Sequence, residues 1–574
     1  MTNNLKPTNV NTRKTDLEAQ INSLNLEEQM NLVLTTPWEK RYEIITASSQ
    51  AKEIVSNMPV EELFWTIKAT GVEDSAILLN LSTPEQLQFI FDLDWWHKDN
   101  LRPEKIAAWL LVMYELNEKG LQIWLKWLFK KDPWLLPAML NEFVRVVKRP
   151  DEMDIQEARD VLPPFTLDNV YFVDFKKKKL APLFIRLIST LVELDPGVYR
   201  DVFETMLWET PSYNLETAYR LRCGRIGDFG IPDYYQSLDI YVPMEQGQMH
   251  TTEAEKILNS LPVSFEMPPF VPTLYVSGYP VLEEALRSLS GKNVMERIIR
   301  ETTGIANKVI MADQVDLDDP KQLKNALKKS FSLINLGTEK IMEESGKEPA
   351  SIIATHFMEE IVRLAAGLLL PVGSKARKLI ASRGFGALPH HLRQYVEAAS
   401  KRPAEAFDPV TGKTGPVVTI SELEHLRKKV HEAETWQKIG RFLRPAPEKW
   451  KDGFDWQNTN FLAMEEFAID SALATAVANL LIQARFETLA LDRDALSRLL
   501  ERLKELKGQA MEKNLEELLS PLVGGDEDNI TETDLRQIII PHLAQIFQDV
   551  LEGGENYLKE PRYLTHLLVS VSEG

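Results

Sequence analysis

The chain has 574 residues, of which 44% are hydrophobic and 26% are charged, and its formal net charge is −19. This is the composition of a folded globular protein, and it excludes general disorder, collagen-like repeats and a disulfide scaffold. The length predicts about two to four structural units, because domains usually hold about 100–200 residues. The acid excess opposes nucleic-acid binding, since that binding depends on Lys and Arg side chains that neutralise phosphates. We therefore expect no nucleic-acid partner.

A repeated helix-start pattern fills residues 38–150. Pro59, Pro84 and Pro103 are each followed by acidic residues and then by a short apolar stretch with helical spacing. Proline fits the first helical turn because its missing N–H would have no partner there, and acidic residues interact well with the positive end of the helix dipole. The pattern predicts a mainly α fold of irregular stacked helix pairs, similar to an α-solenoid. The aromatic and β-branched stretch at 165–175 predicts a minor β-hairpin element.

Two resemblances to known families follow from particular phrases. The phrase MPVEELFWTIKATGVEDSAILLNLSTPEQLQFIFDLD within residues 38–150 resembles the helical N-terminal domain of the MgtE magnesium-channel family. That resemblance implies a superhelix of short helices, and it carries over no metal-binding carboxylate and no transmembrane half. The phrases ETAYRLRCGRIGDFGIPDYYQSLDIY and GIANKVIMAD resemble an uncharacterised family of bacterial proteins of about this length. That second likeness implies no chemistry.

Changes in pattern along the chain predict its organisation. Five prolines between residues 261 and 280 are too dense for a regular helix and predict an extended linker. Asn335, Leu336 and Gly337 form a plausible helix break in the region that follows. The predicted parts are a flexible tail at 1–14, an MgtE-like helical repeat at 15–150, a helical part with a short β element at 151–260, the Pro-rich linker at 261–280, helices at 281–400, an irregular segment with a turn at 401–460 and a C-terminal helical unit at 461–574.

The sequence predicts a cytoplasmic protein without membrane insertion. Its first residues lack the apolar core of a secretory signal. Its most apolar stretches, at 364–370 and 472–482, are shorter than the roughly 18 residues that a membrane-spanning helix needs. The single cysteine, Cys223, cannot form an internal disulfide, which is typical of a protein from a reducing compartment.

No cofactor or metal is expected from local motifs. Gly412, Lys413 and Thr414 match the end of a phosphate-binding P-loop, but Phe407 stands where the first glycine of that motif should lie. The adjacent residues His390 and His391 diverge on a helix and do not easily share a metal ion, and no His-rich ligand phrase occurs.

Three arginines form a candidate anion-binding group. Arg220, Arg222 and Arg225 lie beside glycines in a G-x-x-G-x-x-G phrase at 224–230. Backbone N–H groups of a glycine loop next to guanidinium groups can hold an anion. The alternative is a tight connection, after a helix that ends near residue 221, in which the arginines pair with nearby acids. Cys223 lies among them and is either a thiolate with a lowered pKa or a small core residue.

Tryptophans are concentrated near the N-terminus, where eight of the twelve fall between residues 38 and 134. One interpretation is a narrow helical core filled by large side chains. The other is that the adjacent Trp95 and Trp96 bind a partner, because tryptophan is enriched at binding hot spots. Adjacent residues cannot both face one core in regular structure, so we expect one indole to pack inward and the other to lie on the rim of a groove.

Three functions follow from these patterns. The leading prediction is a non-catalytic helical scaffold or adaptor that binds another protein. The second is an enzyme whose site is assembled from distant residues near Arg220–Arg225, although no catalytic residue can be named. The third is a divalent-cation-sensing regulatory protein, which is suggested by the MgtE resemblance and the acid excess. The oligomeric state is not predicted.

Overall fold

The computed structural model describes residues 18–250, 278–289, 292–461, 466–506, 509–524 and 529–571. Helices make up most of these residues, and the strands among them form three two-stranded antiparallel sheets. The prediction of a mainly α fold with minor hairpin elements is confirmed. None of the described helices is both long enough and apolar enough to cross a membrane. The predicted tail at 1–14 and most of the predicted linker at 261–280 lie outside the described residues.

We number the α-helices from Leu26 onward. Up to residue 250 they are α1 (Leu26–Thr35), α2 (Trp38–Ala47), α3 (Ala51–Asn57), α4 (Val60–Thr70), α5 (Ala76–Leu81), α6 (Pro84–Asp94), α7 (Pro103–Leu116), α8 (Glu118–Lys131), α9 (Leu135–Phe143), α10 (Ile155–Val161), α11 (Ala181–Leu194), α12 (Pro196–Trp208), α13 (Pro211–Gly227) and α14 (Tyr234–Ser237). After residue 278 they are α15 (Pro280–Ser288), α16 (Lys292–Ala312), α17 (Pro320–Ser345), α18 (Pro349–Thr355), α19 (Met358–Ala381), α20 (His390–Ala399), α21 (Ile420–Gly440), α22 (Trp450–Gly453), α23 (Ile469–Gln483), α24 (Arg493–Glu505), α25 (Gln509–Leu519) and α26 (Glu532–Asp534), which continues through the π-helical turn Leu535–Ile539 into α27 (Ile540–Lys559).

Each sheet is a pair of short antiparallel strands. The pairs are β1 (Trp96–His97) with β2 (Asn100–Leu101), β3 (Val144–Lys148) with β4 (Tyr171–Phe175), and β5 (Glu405–Asp408) with β6 (Lys413–Pro416). The strand predicted at 165–175 is confirmed in its second half, where β4 pairs with β3. The P-loop-like residues Gly412, Lys413 and Thr414 lie at the turn and in the second strand of the β5–β6 hairpin.

The chain forms two compact units, each built from separate stretches of sequence. Of the described residues, the first contains 18–240, 289 and 292–330. The second contains 241–250, 278–288 and the described residues from 331 to 571. Helices α1–α14 and α16 therefore belong to the first unit, and most later helices belong to the second.

The helix starts in the first unit follow from capping chemistry. Pro84 and Pro103 are the first residues of α6 and α7, as their sequence context predicts. The Thr83 hydroxyl accepts the N–H of Gln86, and the Gln86 side chain accepts the N–H of Thr83. This reciprocal pair satisfies two N–H groups that have no partner within the helix. The capping pair fixes the first residue of α6, and Trp95 and Trp96 follow directly after the last residue of this helix.

Large aromatic side chains fill the core of the first unit. Phe91 stacks on Trp95 with ring centroids 4.4 Å apart, and it meets Trp109 and Trp124 edge-on. All four rings are buried. Offset-stacked and edge-to-face pairs stabilise such a core beyond the area that they bury. Trp95, Trp109 and Trp124 are therefore large side chains that fill a helical core, as one of the two interpretations of the sequence predicts.

A predicted helix break is wrong in the second unit. Asn335 and Gly337 lie inside the continuous helix α17. The Asn335 amide is fully buried, and its oxygen accepts the N–H groups of Val281 and Leu282 at the start of α15. Gly337 lets α17 approach α19 closely, because a Cβ there would lie 2.2 Å from the main-chain oxygen of Ile361. These two residues tie helices together and do not end one.

Candidate functional site

A polar cavity of about 210 Å³ lies within the first unit. One wall is the end of α6 together with the β1–β2 hairpin that follows it. A second wall is Arg222 of α13, and the third is the end of α16 with the residues after it. The lining residues are Leu93, Asp94, Trp96, His97, Lys98, Arg102, Arg222, Ile310, Met311, Gln314, Val315, Asp316 and Leu317.

Arg222 is the most unusual side chain of this cavity, because it is a buried cation with no carboxylate partner among the described residues. Only 2% of it is exposed. Its Nε donates to the main-chain oxygen of Asp92 at 2.6 Å, while its buried Nη1 has no hydrogen-bond partner among the described residues. Burial lowers the pKa of Arg222 from its ordinary value. A buried charge is costly unless it is paired and hydrogen-bonded, so this guanidinium is destabilised where it stands.

The carboxylate of Asp92 forms an ion pair with Arg225 and not with Arg222, and its charge only partly opposes the effect of burial on the pKa of Arg222. Arg225 donates to both carboxylate oxygens of Asp92, at 2.7 and 2.9 Å, and to Asp132 at 2.8 Å. Gln88 donates to the same Asp92 carboxylate at 2.8 Å. This bidentate arrangement is the strong form of an arginine–carboxylate pair. Arg225 thus ties α13 to α6 and to the end of α8.

Trp96 supplies a second donor without a partner. It is 5% exposed, it lines the cavity, and its buried Nε1 has no hydrogen-bond partner in the described part of the chain. The Arg222 guanidinium lies 5.5 Å from the centre of the Trp96 ring, and Tyr219 lies at 5.8 Å. Two residues of the lining, Arg222 and Trp96, therefore each hold a buried N–H donor, one charged and one neutral, that has no acceptor among the described residues.

The expectation of an outward-facing indole was wrong. Trp95 is fully buried in the aromatic core, and Trp96 is buried as well. Tyr219 and Arg222 of α13 cover Trp96, and a connection covered by another element does not expose its side chains. The proposed partner-binding role of Trp95 and Trp96 stays a prediction.

Two further cations line the cavity. Lys98 has a positive φ of 57°, and its N–H donates to the side-chain oxygen of Gln314 at 3.0 Å. Gln314 also has a positive φ, of 53°. Non-glycine residues in this region are strained, and such strain is concentrated at functional sites. Arg102 forms a half-exposed pair with Glu104 at 3.2 Å.

Two acidic residues, Asp94 and Asp316, also line the cavity. Asp94 accepts from Lys68 at 2.8 Å and from the Trp109 indole at 2.5 Å. Its charge is therefore already neutralised from outside the cavity. Asp316 accepts the N–H of Asp318 at 3.1 Å. With Asp94 paired to Lys68 and Arg102 paired to Glu104, the cations Lys98 and Arg222 stand against the carboxylate of Asp316, so the lining keeps a net positive charge and favours an anion.

The three arginines predicted as one group lie in different surroundings. Helix α13 runs on to Gly227, so the expectation that it ends near residue 221 was wrong. Because Gly224 and Gly227 are helical, no open glycine loop forms there. Arg220 is exposed and pairs with Glu216, Arg225 is held by carboxylates, and Arg222 alone of the three lines the cavity.

Cys223 is not an activated thiol. It is half-buried on α13, and burial raises the pKa of its thiol, with smaller opposing effects from Tyr219 and Arg222. A raised pKa keeps the sulfur protonated at neutral pH, and the thiol is then a weak nucleophile. This fits the core-residue interpretation.

Comparisons with known proteins give a family and no activity. Neither the curated proteins nor the solved structures contain a match. The likeness to the MgtE domain is not shown by these comparisons. One family model, described as a family of unknown function (DUF6178), matches residues 18–570. Since that match spans nearly the whole sequence, the chain belongs to the DUF6178 family.

Proposed function

We propose that the first unit binds a small anionic molecule in the cavity lined by Arg222 and Trp96. The observation that carries the proposal is the buried Nη1 of Arg222, which has no acceptor among the described residues. An oxyanion in the cavity would accept hydrogen bonds from Arg222 and from the Trp96 indole. Hydrogen bonds to ionised groups are roughly twice as strong as neutral ones, and here they would also offset the desolvation of the guanidinium.

The size and charge of the cavity fit a small organic anion. Its volume of about 210 Å³ exceeds that of the engineered cavities of roughly 150 Å³ that accept benzene. Lys98 and Arg102 add positive charge beside Arg222. Guanidinium groups match carboxylates and phosphates in geometry, so these are the two head groups that we propose.

The other predicted functions lack such an observation. Among the described residues, no group of three or more His, Cys, Asp or Glu side chains could hold a metal ion, so we do not propose cation sensing. The protein-binding scaffold and the cytoplasmic location stay predictions. Both are compatible with a ligand site in the first unit.

Isothermal titration and thermal unfolding test the proposal directly. The purified full chain is titrated with phosphate, sulfate and small carboxylates. An anion that binds should raise the free energy of unfolding by about 2.7 kcal/mol when its free concentration is 100 times its Kd. Arg222→Met should abolish this response, because methionine fills the site without charge. Arg220→Met, on the same helix but at the surface, should leave it unchanged. Equal binding by both variants, or no response to any anion, would refute the proposal.

A further inference from the structure

A second, mainly apolar cavity of about 60 Å³ lies in the first unit next to the polar one, with Glu61, Thr303 and Asn307 as its polar lining residues. Four aromatic side chains dominate its wall, namely Phe64, Trp65, Phe89 and Phe229. Phe89 meets Phe64 and Phe229 edge-on, with ring centroids 6.3 and 4.9 Å apart. An apolar space of this kind favours an apolar ligand group over water.

The two cavities adjoin along the same pair of helices. Leu93 of α6 lines both of them. On α16, Asn307 lines the apolar cavity and Ile310 lines the polar one. Three residues along a helix span about 4.5 Å, so the linings are less than one helical turn apart on α16. The two linings are therefore adjacent, with Leu93 as their shared residue, and a ligand that occupies both cavities would lie against Leu93.

We infer that the ligand is a small amphiphilic anion, with its charged group at Arg222 and a short aliphatic group in the cavity of Phe64, Phe89 and Phe229. This inference rests on the proposed anion site and specifies its ligand class. The apolar cavity is smaller than those that accept benzene, so the group is a short chain and not an aromatic ring. Carboxylate and phosphate share the required head-group chemistry.

Chain-length dependence of binding tests the inference. The full chain is titrated with acetate, butyrate, hexanoate and decanoate, and in parallel with alkyl phosphates of the same lengths. Each methylene that enters the apolar cavity should tighten binding about four-fold. The gain should stop once the cavity is full, so decanoate should bind no better than hexanoate. Whichever head-group series shows this dependence identifies the head group and supports the inference.

Variants at Thr303 provide matched controls, because Thr303 is buried on α16 and lines only the apolar cavity of the two. Thr303→Leu adds volume and should remove the chain-length dependence while acetate still binds. Thr303→Val adds none and should keep the dependence. If every chain length binds the unmodified protein equally, the amphiphile inference fails and the anion site stands. If no acid and no phosphate binds, both fail.

Discussion

Arg222 contacts Asp92 through the main-chain oxygen of that residue, at 2.6 Å, and not through its carboxylate. Two arginines one helical turn apart on α13 therefore have opposite roles. Arg225 is paired with carboxylates of the protein, whereas the Nη1 of Arg222 has no hydrogen-bond acceptor among the described residues. This difference gives the first two predictions.

Replacing Arg225 by methionine should lower the free energy of unfolding of the first unit by about 3–5 kcal/mol. The substitution leaves Asp92 and Asp132 as buried carboxylates, 1% and 0% exposed, without their cation. Urea denaturation measures the change. Arg220→Met removes an exposed pair and should change stability by no more than about 0.5 kcal/mol. Equal stability of the two variants would show that the ion pairs of Arg225 with Asp92 and Asp132 do not stabilise the first unit.

Replacing Arg222 by methionine should leave stability unchanged or raise it. The guanidinium is desolvated and has no carboxylate partner among the described residues. Its removal therefore removes an unfavourable desolvation free energy from the folded state. The same denaturation experiment measures this. A loss as large as that of Arg225→Met would show that Arg222 is a structural residue.

Trp96→Phe should weaken anion binding several-fold, as expected for one lost hydrogen bond worth about 0.5–1.5 kcal/mol. Phenylalanine keeps an aromatic ring beside Arg222 but lacks the indole N–H. Trp95→Phe is the matched control, since the Trp95 N–H is also buried without a described partner but does not line the cavity. Titration calorimetry compares the two variants. Equal affinities would exclude Trp96 from the anion site.

The second unit should show a histidine-dependent stability profile. The Nε2 of His431 lies 2.7 Å from Asp534, and its Nδ1 lies 3.4 Å from Glu434. The hydrogen bond to Glu434 raises the pKa of His431, and Asp534 acts in the same direction. A raised folded-state pKa means that the stabilisation is full below the unfolded-state pKa of about 6.5 and is lost as pH rises through the folded-state pKa.

Thermal unfolding of the wild type and His431→Gln from pH 5.5 to 9 checks this expectation. The wild type should exceed the variant most at the acidic end, and the difference should shrink toward pH 9. Glu434 does not complicate this range, because its contact with His431 lowers the pKa of that carboxyl to about 2. A difference that is constant with pH would rule out the charged pair.

Gly337→Ala should destabilise the second unit by about 1–3 kcal/mol or more, because the added Cβ would collide with the main chain of Ile361 at 2.2 Å. Gly304→Ala, inside α16, is the opposite case. No atom lies within 4 Å of a Cβ built there, so alanine should stabilise the helix by about 0.5–1 kcal/mol. Differential scanning calorimetry measures both. Similar melting temperatures for the two variants would refute the close approach.

Local chemistry in the sequence was enough to predict some of the fold. Pro84 and Pro103 mark helix starts because capping involves only neighbouring residues. Strand β3 was missed because Val144–Lys148 continues an apolar helical stretch, and its conformation depends on pairing with Tyr171–Phe175. Tertiary pairing of this kind overrides local propensity.

The candidate site was only half visible in the sequence. Arg222 and Trp96 drew notice for their residue types, but as members of two separate groups. What joins them is packing between α13 and the segment after α6, more than 120 residues apart in the chain. Gln314 carried no signal at all, since its contact with Lys98 spans 216 residues. Such long-range contacts have no local pattern.

The contact between Lys98 and Gln314 also bears on how the protein is made. The first unit is interrupted in sequence by residues of the second, so its cavity lacks one wall until residues 310–317 have left the ribosome. Until residue 318 has also emerged, Lys68 and Lys105 lack Asp318, the carboxylate that contacts both. Domains fold as units during synthesis, and this one cannot be finished from its N-terminal stretch alone. A nascent chain stalled after Ile240 would therefore carry Arg222 and Trp96 but lack the α16 wall of the proposed site.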